Sequence, residues 1–148
     1  MRASILLLVA VVALVINLYV IGLAVVSGPS MQPTLNNGDV LLINKLSRTY
    51  EPFDIVVIRT ENRFIIKRII GTPGDTVQII DCKVYVNGVP INDVVEVTFP
   101  AGIAVAPITL ADGEYFVLGD NRSVSHDSRN VDVGVVKSTK IKGKVIGY

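Results

Sequence analysis

The sequence has no tryptophan, one histidine and one cysteine, and its 14 basic residues are nearly matched by 13 acidic ones. Each shortage removes a class of chemistry. Cys82 alone forms no internal disulfide and assembles no thiolate metal cluster. His126 alone excludes the zinc motifs built on paired histidines. No metal and no other cofactor is therefore expected. Near-neutrality argues against a nucleic-acid partner, since such binding needs a positive surface to displace counterions. Helical periodicity is scarce as well: past residue 26 there is no amphipathic pattern of three turns, and no internal repeat.

What the chain does have is apolar residues, 50% of its 148, and they crowd its start. From Ile5 to Val26 no side chain is charged, and Asn17 is the only strongly polar one. At ~1.5 Å per residue, one helix over this run would cross the ~30 Å hydrocarbon core of a bilayer. Gly22-Leu23-Ala24 offers the small residues of a secretory cleavage site. A signal core of about 7–15 residues is shorter than this run, however, and retention as a membrane helix is the expectation. Arg2 ahead of the run favours a cytoplasmic N-terminus and an extracytoplasmic C-terminal part. The domain reading is a short N-terminus with a single-pass anchor over 1–26, then an exported domain over 27–148.

Short runs rich in valine and isoleucine, separated by turn residues, fill the exported part. They are "DVLLIN", "DIVVIR", "FIIKRII", "TVQII" and "KVYVNGVPI", followed by "EVTFP", "IAVAPITL", "EYFVLG", "VGVVK" and "KVIGY". The pattern predicts a compact, mainly β domain. Asn87-Gly88 predicts a hairpin, and the proline-marked segment 89–113 reads as a peripheral hairpin or loop. Lys137, Lys140, Lys142 and Lys144 read as a charged edge strand that resists aggregation. Contact of these lysines with anionic lipid is the other reading.

Three clusters stand outside this grammar: "GPSMQPTL" (28–35), "KRIIGTPGD" (67–75) and "GDNRSVSHDSR" (119–129). In the first, Pro29 and Pro33 restrain the chain around Ser30, which suits either a reactive serine or a stiff linker. A serine hydroxyl needs a base within reach. His126 has an acidic neighbour in Asp127, but adjacent residues do not readily form a triad. Lys67 shares a strand face with Ile65 and Ile69, where desolvation would lower its pKa enough for it to act as a base. It could equally be a gatekeeper that interrupts an apolar strand. The third cluster is dense in polar groups, a solvated loop or an active-site support anchored by the strand before it.

Taken together, the three clusters resemble the motifs of the type I signal peptidase family. Gly28 to Leu35 is similar to its serine box. Lys67 to Asp75 is similar to its lysine box, and Gly119, Asp120, Asn121, Ser125 and Ser128 to its last box. The resemblance implies a membrane-bound serine endopeptidase that removes signal peptides from exported preproteins at the outer membrane face. It implies Ser30 as nucleophile, Lys67 as general base and Ser125 as a group orienting the lysine amine. Arg68, Asp120, Asp127 and Arg129 would form a supporting polar network. The backbone N–H of Ser30 would serve the oxyanion. Gly28 stands where some relatives carry a serine as second donor, which leaves that donor unassigned. The expected partners are preprotein signal peptides and the lipid bilayer, with the oligomeric state open. Alternatives are a specialised peptidase of the same fold, of the conjugation or mitochondrial inner-membrane type, and an inert anchored binding domain.

Overall fold

The computed structural model describes residues 2–15, 19–92, 95 and 100–148. The apolar N-terminal run is not one helix. Helix α1 covers Arg2–Val15, 14 residues and hence about 21 Å at the α-helical rise. No helix among the described residues is long and apolar enough to cross a membrane. The end of the run, Ile21–Val25, is strand β1 and pairs antiparallel with β2 (Val40–Asn44). Gly22 is buried, and an added Cβ there would run into Lys45 and Ile43, a closeness that suits a sheet. Leu23 and Val25 stay exposed on the outer face, as do the apolar side chains of α1 from Ile5 to Val15.

The remaining strands are β3 (Ile55–Arg59), β4 (Phe64–Gly71), β5 (Thr76–Ile80), β6 (Lys83–Val86), β7 (Val89–Pro90), β8 (Ile108–Thr109), β9 (Glu114–Leu118), β10 (Val136–Lys137) and β11 (Ile141–Val145). They form a seven-stranded sheet ordered β1-β2-β11-β3-β4-β9-β10 and a four-stranded sheet ordered β7-β6-β5-β8. All pairings are antiparallel. The mainly β expectation holds. Asn87 and Gly88 both take positive φ, 54° and 77°, and turn β6 into β7 as this dipeptide favours.

Several details differ from the sequence expectation. The segment 89–113 supplies the two edge strands of the small sheet, β7 and β8, and a 3-10 turn over Gly102–Val105 replaces the expected strand start. Most of "EVTFP" lies outside the described residues. Of the lysine-rich end, Lys137 lies on the edge strand β10, but Lys142 and Lys144 do not lie on an edge: β11 runs between β2 and β3. Its Ile141, Gly143 and Val145 are buried while Lys142 and Lys144 point away, and Lys144 pairs with Asp54 at 2.7 Å. Lysines survive in a central strand because they occupy alternate positions.

Three apolar clusters form the core. One joins Val26, Met31 and Leu35 to Ile43, Ile55 and Val57, so the segment around Ser30 is clamped to the large sheet. A second packs Val56, Ile58 and Ile69 against Tyr115 and Val117. The third joins Ile70 and Phe116 to Val77 and Ile79 of the small sheet. β4 contributes to all three, and Lys67 lies at its middle.

Candidate active site

Ser30 opens a short turn in which the amide of Leu35 donates to the Met31 carbonyl at 2.9 Å. Met31 and Leu35, four residues apart, share one side of that turn and are both buried. Ser30 between Pro29 and Met31 is left half-exposed above them. Gly28 has φ of 89°, and its amide is bound to Asn37 Oδ1 at 2.8 Å. That amide is therefore occupied.

β4 brings Lys67 to the serine. Lys67 Nζ lies 2.9 Å from Ser30 Oγ and 2.9 Å from the Ile66 carbonyl oxygen. The lysine is 3% exposed, and its neighbour across the β3 pairing is Val56. Burial is the main reason its pKa falls to about 8, with Asp127 opposing and the cation of Arg63 assisting. A buried amine near neutrality beside a hydroxyl is the arrangement that general-base catalysis requires.

The other expected residues gather around this pair. Arg68 makes a two-pronged contact with Asp120, Nε to Oδ1 at 2.8 Å and Nη2 to Oδ2 at 2.6 Å. Its remaining donors reach the Phe53 carbonyl and Thr34 Oγ1, so one guanidinium ties together parts of all three motifs. Arg129 engages both oxygens of Asp127, at 2.8 and 3.0 Å, and also the carbonyls of Arg122, Ser125 and Pro100. Burial opposes ionisation of Asp127, but these contacts and the Gly119 amide outweigh it and hold the carboxyl below its ordinary pKa. Both pairs are buried, where an unpartnered charge would be costly.

Ser125 Oγ is buried and makes no well-formed hydrogen bond among the described residues, though it sits close enough to Asp127 to help hold that carboxyl ionised, whereas the Lys67 amine is held by Ser30 and Ile66. Ser128, given no role in the sequence reading, accepts from the Val117 amide through its Oγ at 3.0 Å and fastens the loop to β9. Gly119 is the residue whose importance sequence reasoning missed. A Cβ on it would collide with Ser125 Oγ and with the Ser30 carbonyl oxygen. The loop can close over Ser30 only because that side chain is absent. The amide of Asn121 completes the closure with a 3.0 Å bond to the Ser30 carbonyl. His126 lines the same cleft, but its Nε2 is 2.7 Å from Asp132 and not engaged with Asp127. That partner, six residues on, carries no signal in sequence.

Ser30 and Lys67 lie in a cleft of about 800 Å³ bounded by β1 and its continuation on one side and β4 on the other. Its first wall carries Leu23 to Ser27, its second Phe64 to Lys67. Among the described residues no group of histidine, cysteine, aspartate and glutamate could hold a metal ion.

Known proteins resemble this chain over most of its length. The family model for signal peptidase, peptidase S26, matches residues 1–147. Signal peptidase I of Bacillus licheniformis is 35% identical over 90% of this chain and 78% of its own. Signal peptidase I S of Bacillus subtilis is 34% identical over 90% and 79% respectively. The crystal structure of a signal peptidase I from Enterococcus faecalis superposes with a TM-score of 0.54 at 30% identity, covering 65% of this chain and 96% of that one. The resemblance read from the three motifs is borne out, and the inert binding domain is set aside: the chain belongs to the signal peptidase family, peptidase S26.

Proposed function

We propose that this enzyme removes signal peptides by acyl transfer to Ser30, with Lys67 as the general base. The observation that carries the reading is the 2.9 Å approach of Lys67 Nζ to Ser30 Oγ, with the lysine buried and its pKa near 8. Neutral Lys67 accepts the Ser30 proton as Oγ attacks the scissile carbonyl. The tetrahedral oxyanion is met by the Ser30 amide, which makes no hydrogen bond among the described residues. A donor of this kind contributes about 3–4 kcal/mol to the transition state. Lys67 then protonates the departing amine, and next activates the water that releases the acyl group. Arg68, Asp120, Asp127 and Arg129 act by holding the two loops in register. Ser125, whose buried hydroxyl makes no well-formed hydrogen bond among the described residues, orients the amine as the substrate arrives.

The substrate is an extended segment with small side chains at the first and third positions before the cut. It pairs along the outer edge of β1, where every second side chain points into the cleft. The exposed apolar residues of α1, with Leu23, Val25, Val40 and Leu42 of the β1–β2 face, seat this end of the molecule in a bilayer. The catalytic part then lies on the extracytoplasmic side, where signal peptides emerge.

A preprotein with an Ala-X-Ala site, offered in detergent to wild type and to folded Ser30→Ala, tests the reading. Wild type is expected to cut after the second alanine, and Ser30→Ala to lose at least about 10³-fold in rate. A Ser30→Ala enzyme that still cuts there contradicts it.

A further inference from the structure

The catalytic cleft has a continuation that the reaction above does not use. A second groove of about 590 Å³ lies against the turn between β3 and β4. It shares Arg63, Ile65 and His126 with the catalytic cleft, so the two are contiguous at those side chains. A polypeptide lying across Ser30 must leave the cleft in two directions. One direction runs along β1, toward exposed Leu23 and Val25 and the apolar helix α1, and suits the apolar signal segment. The other passes His126 into the second groove.

That groove differs in chemistry from the β1 side. Arg59, Arg63 and Lys140 line it, all exposed and without an ion-pair partner among the described residues. Its acidic side chains are Glu61 and Asp132, and Asp132 is engaged by His126 at 2.7 Å. The catalytic cleft itself is lined by Lys45, Arg63, Lys67, His126 and Lys142, with no carboxylate. The path beyond the scissile bond thus carries an excess of positive charge.

We propose that this second groove is the track for the residues that follow the scissile bond, and that Arg59, Arg63 and Lys140 make it select acidic over basic side chains there. The inference rests on the assignment of Ser30 and Lys67 as the point of cleavage. Each contact is solvent-exposed, so each is worth at most about a few-fold, and together they give a preference of about tenfold. Arg63 also depresses the Lys67 pKa, so absolute rates of its variants mix two effects. The ratio between two substrates on one enzyme does not.

The test uses preproteins identical up to the cut and carrying Asp, Ala or Lys at the second and third residues after it. Each is offered to the full-length wild type, to Arg63→Glu and to Arg59→Glu/Lys140→Glu. Wild type is expected to rank Asp above Ala above Lys in kcat/KM. Both charge-reversed enzymes are expected to invert the Asp-to-Lys ratio. Cleavage whose Asp-to-Lys ratio is unmoved by charge reversal overturns the inference alone. Failure of wild type to cleave any of the substrates overturns the function and the inference with it.

Discussion

Lys67 Nζ is 2.9 Å from Ser30 Oγ although 37 residues separate them in the chain. The amine reaches the serine from a strand with apolar clusters packed along it, and that burial is why its pKa is about 8. Activity should therefore rise with pH through about 8, as the amine loses its proton. Arg63 assists the depression, so Arg63→Gln should raise the Lys67 pKa and move that limb to higher pH. At pH 7 the variant is expected to lose a few-fold in rate. The kcat/KM profile of the two enzymes against pH checks this, and an unmoved limb counts against it.

The same burial should weaken the fold. A lysine whose native pKa lies below its unfolded value of 10.5 costs stability fully below pH 8, and the cost fades between pH 8 and 10.5. The differential is about 3 kcal/mol, as an order of magnitude. Lys67→Met should therefore be inactive yet more stable than wild type by up to about that amount at pH 7. Its advantage should shrink as pH rises through the same window. Urea unfolding of both proteins at pH 7 and 10 measures it.

Arg68 and Asp120 should be much less tolerant. Removing one member of a buried, fully hydrogen-bonded pair leaves the other charged and unpartnered, at a cost of about 3–5 kcal/mol. Asp120→Ala strands the Arg68 guanidinium, whose side chain is only 8% exposed. Urea midpoints are expected to fall accordingly, and a change below about 1 kcal/mol would mean that water reaches the pair.

Gly119→Ala tests the closure of the loop over Ser30. The added methyl must displace both Ser125 and the Ser30 carbonyl. Activity is expected to fall by about 10²-fold, since sub-ångström misplacement of reacting groups has effects of that size. Folding, followed by the same urea titration, should suffer less than in Asp120→Ala.

Some of this could be read from the sequence and some could not. Runs such as Ile55–Arg59 and Thr76–Ile80 announced strands through β-branched residues, and Asn87-Gly88 announced its turn. The first apolar run misled because membrane helices and sheet strands are both apolar. Only pairing with Val40–Asn44 distinguishes Ile21–Val25 from the helix before it. The lysines near the end suggested an edge, yet "IKGKV" alternates, and the period of two was the better guide. The apolar strand face of Lys67 marked it as a candidate base, but its approach to Ser30 depends on contacts distant in sequence that only the motif resemblance implied. Gly119 and the His126–Asp132 pair depend on loop closure, which local sequence does not encode.

The most direct test of the account is the loss of the base. Cleavage of the Ala-X-Ala preprotein should be followed from pH 6 to 10 for wild type and for Lys67→Ala, with folding of each verified. Wild type is expected to show a limb near pH 8, and Lys67→Ala to lose at least about 10³-fold with no such limb. A folded Lys67→Ala enzyme that keeps its rate and its limb would show that another group takes the Ser30 proton.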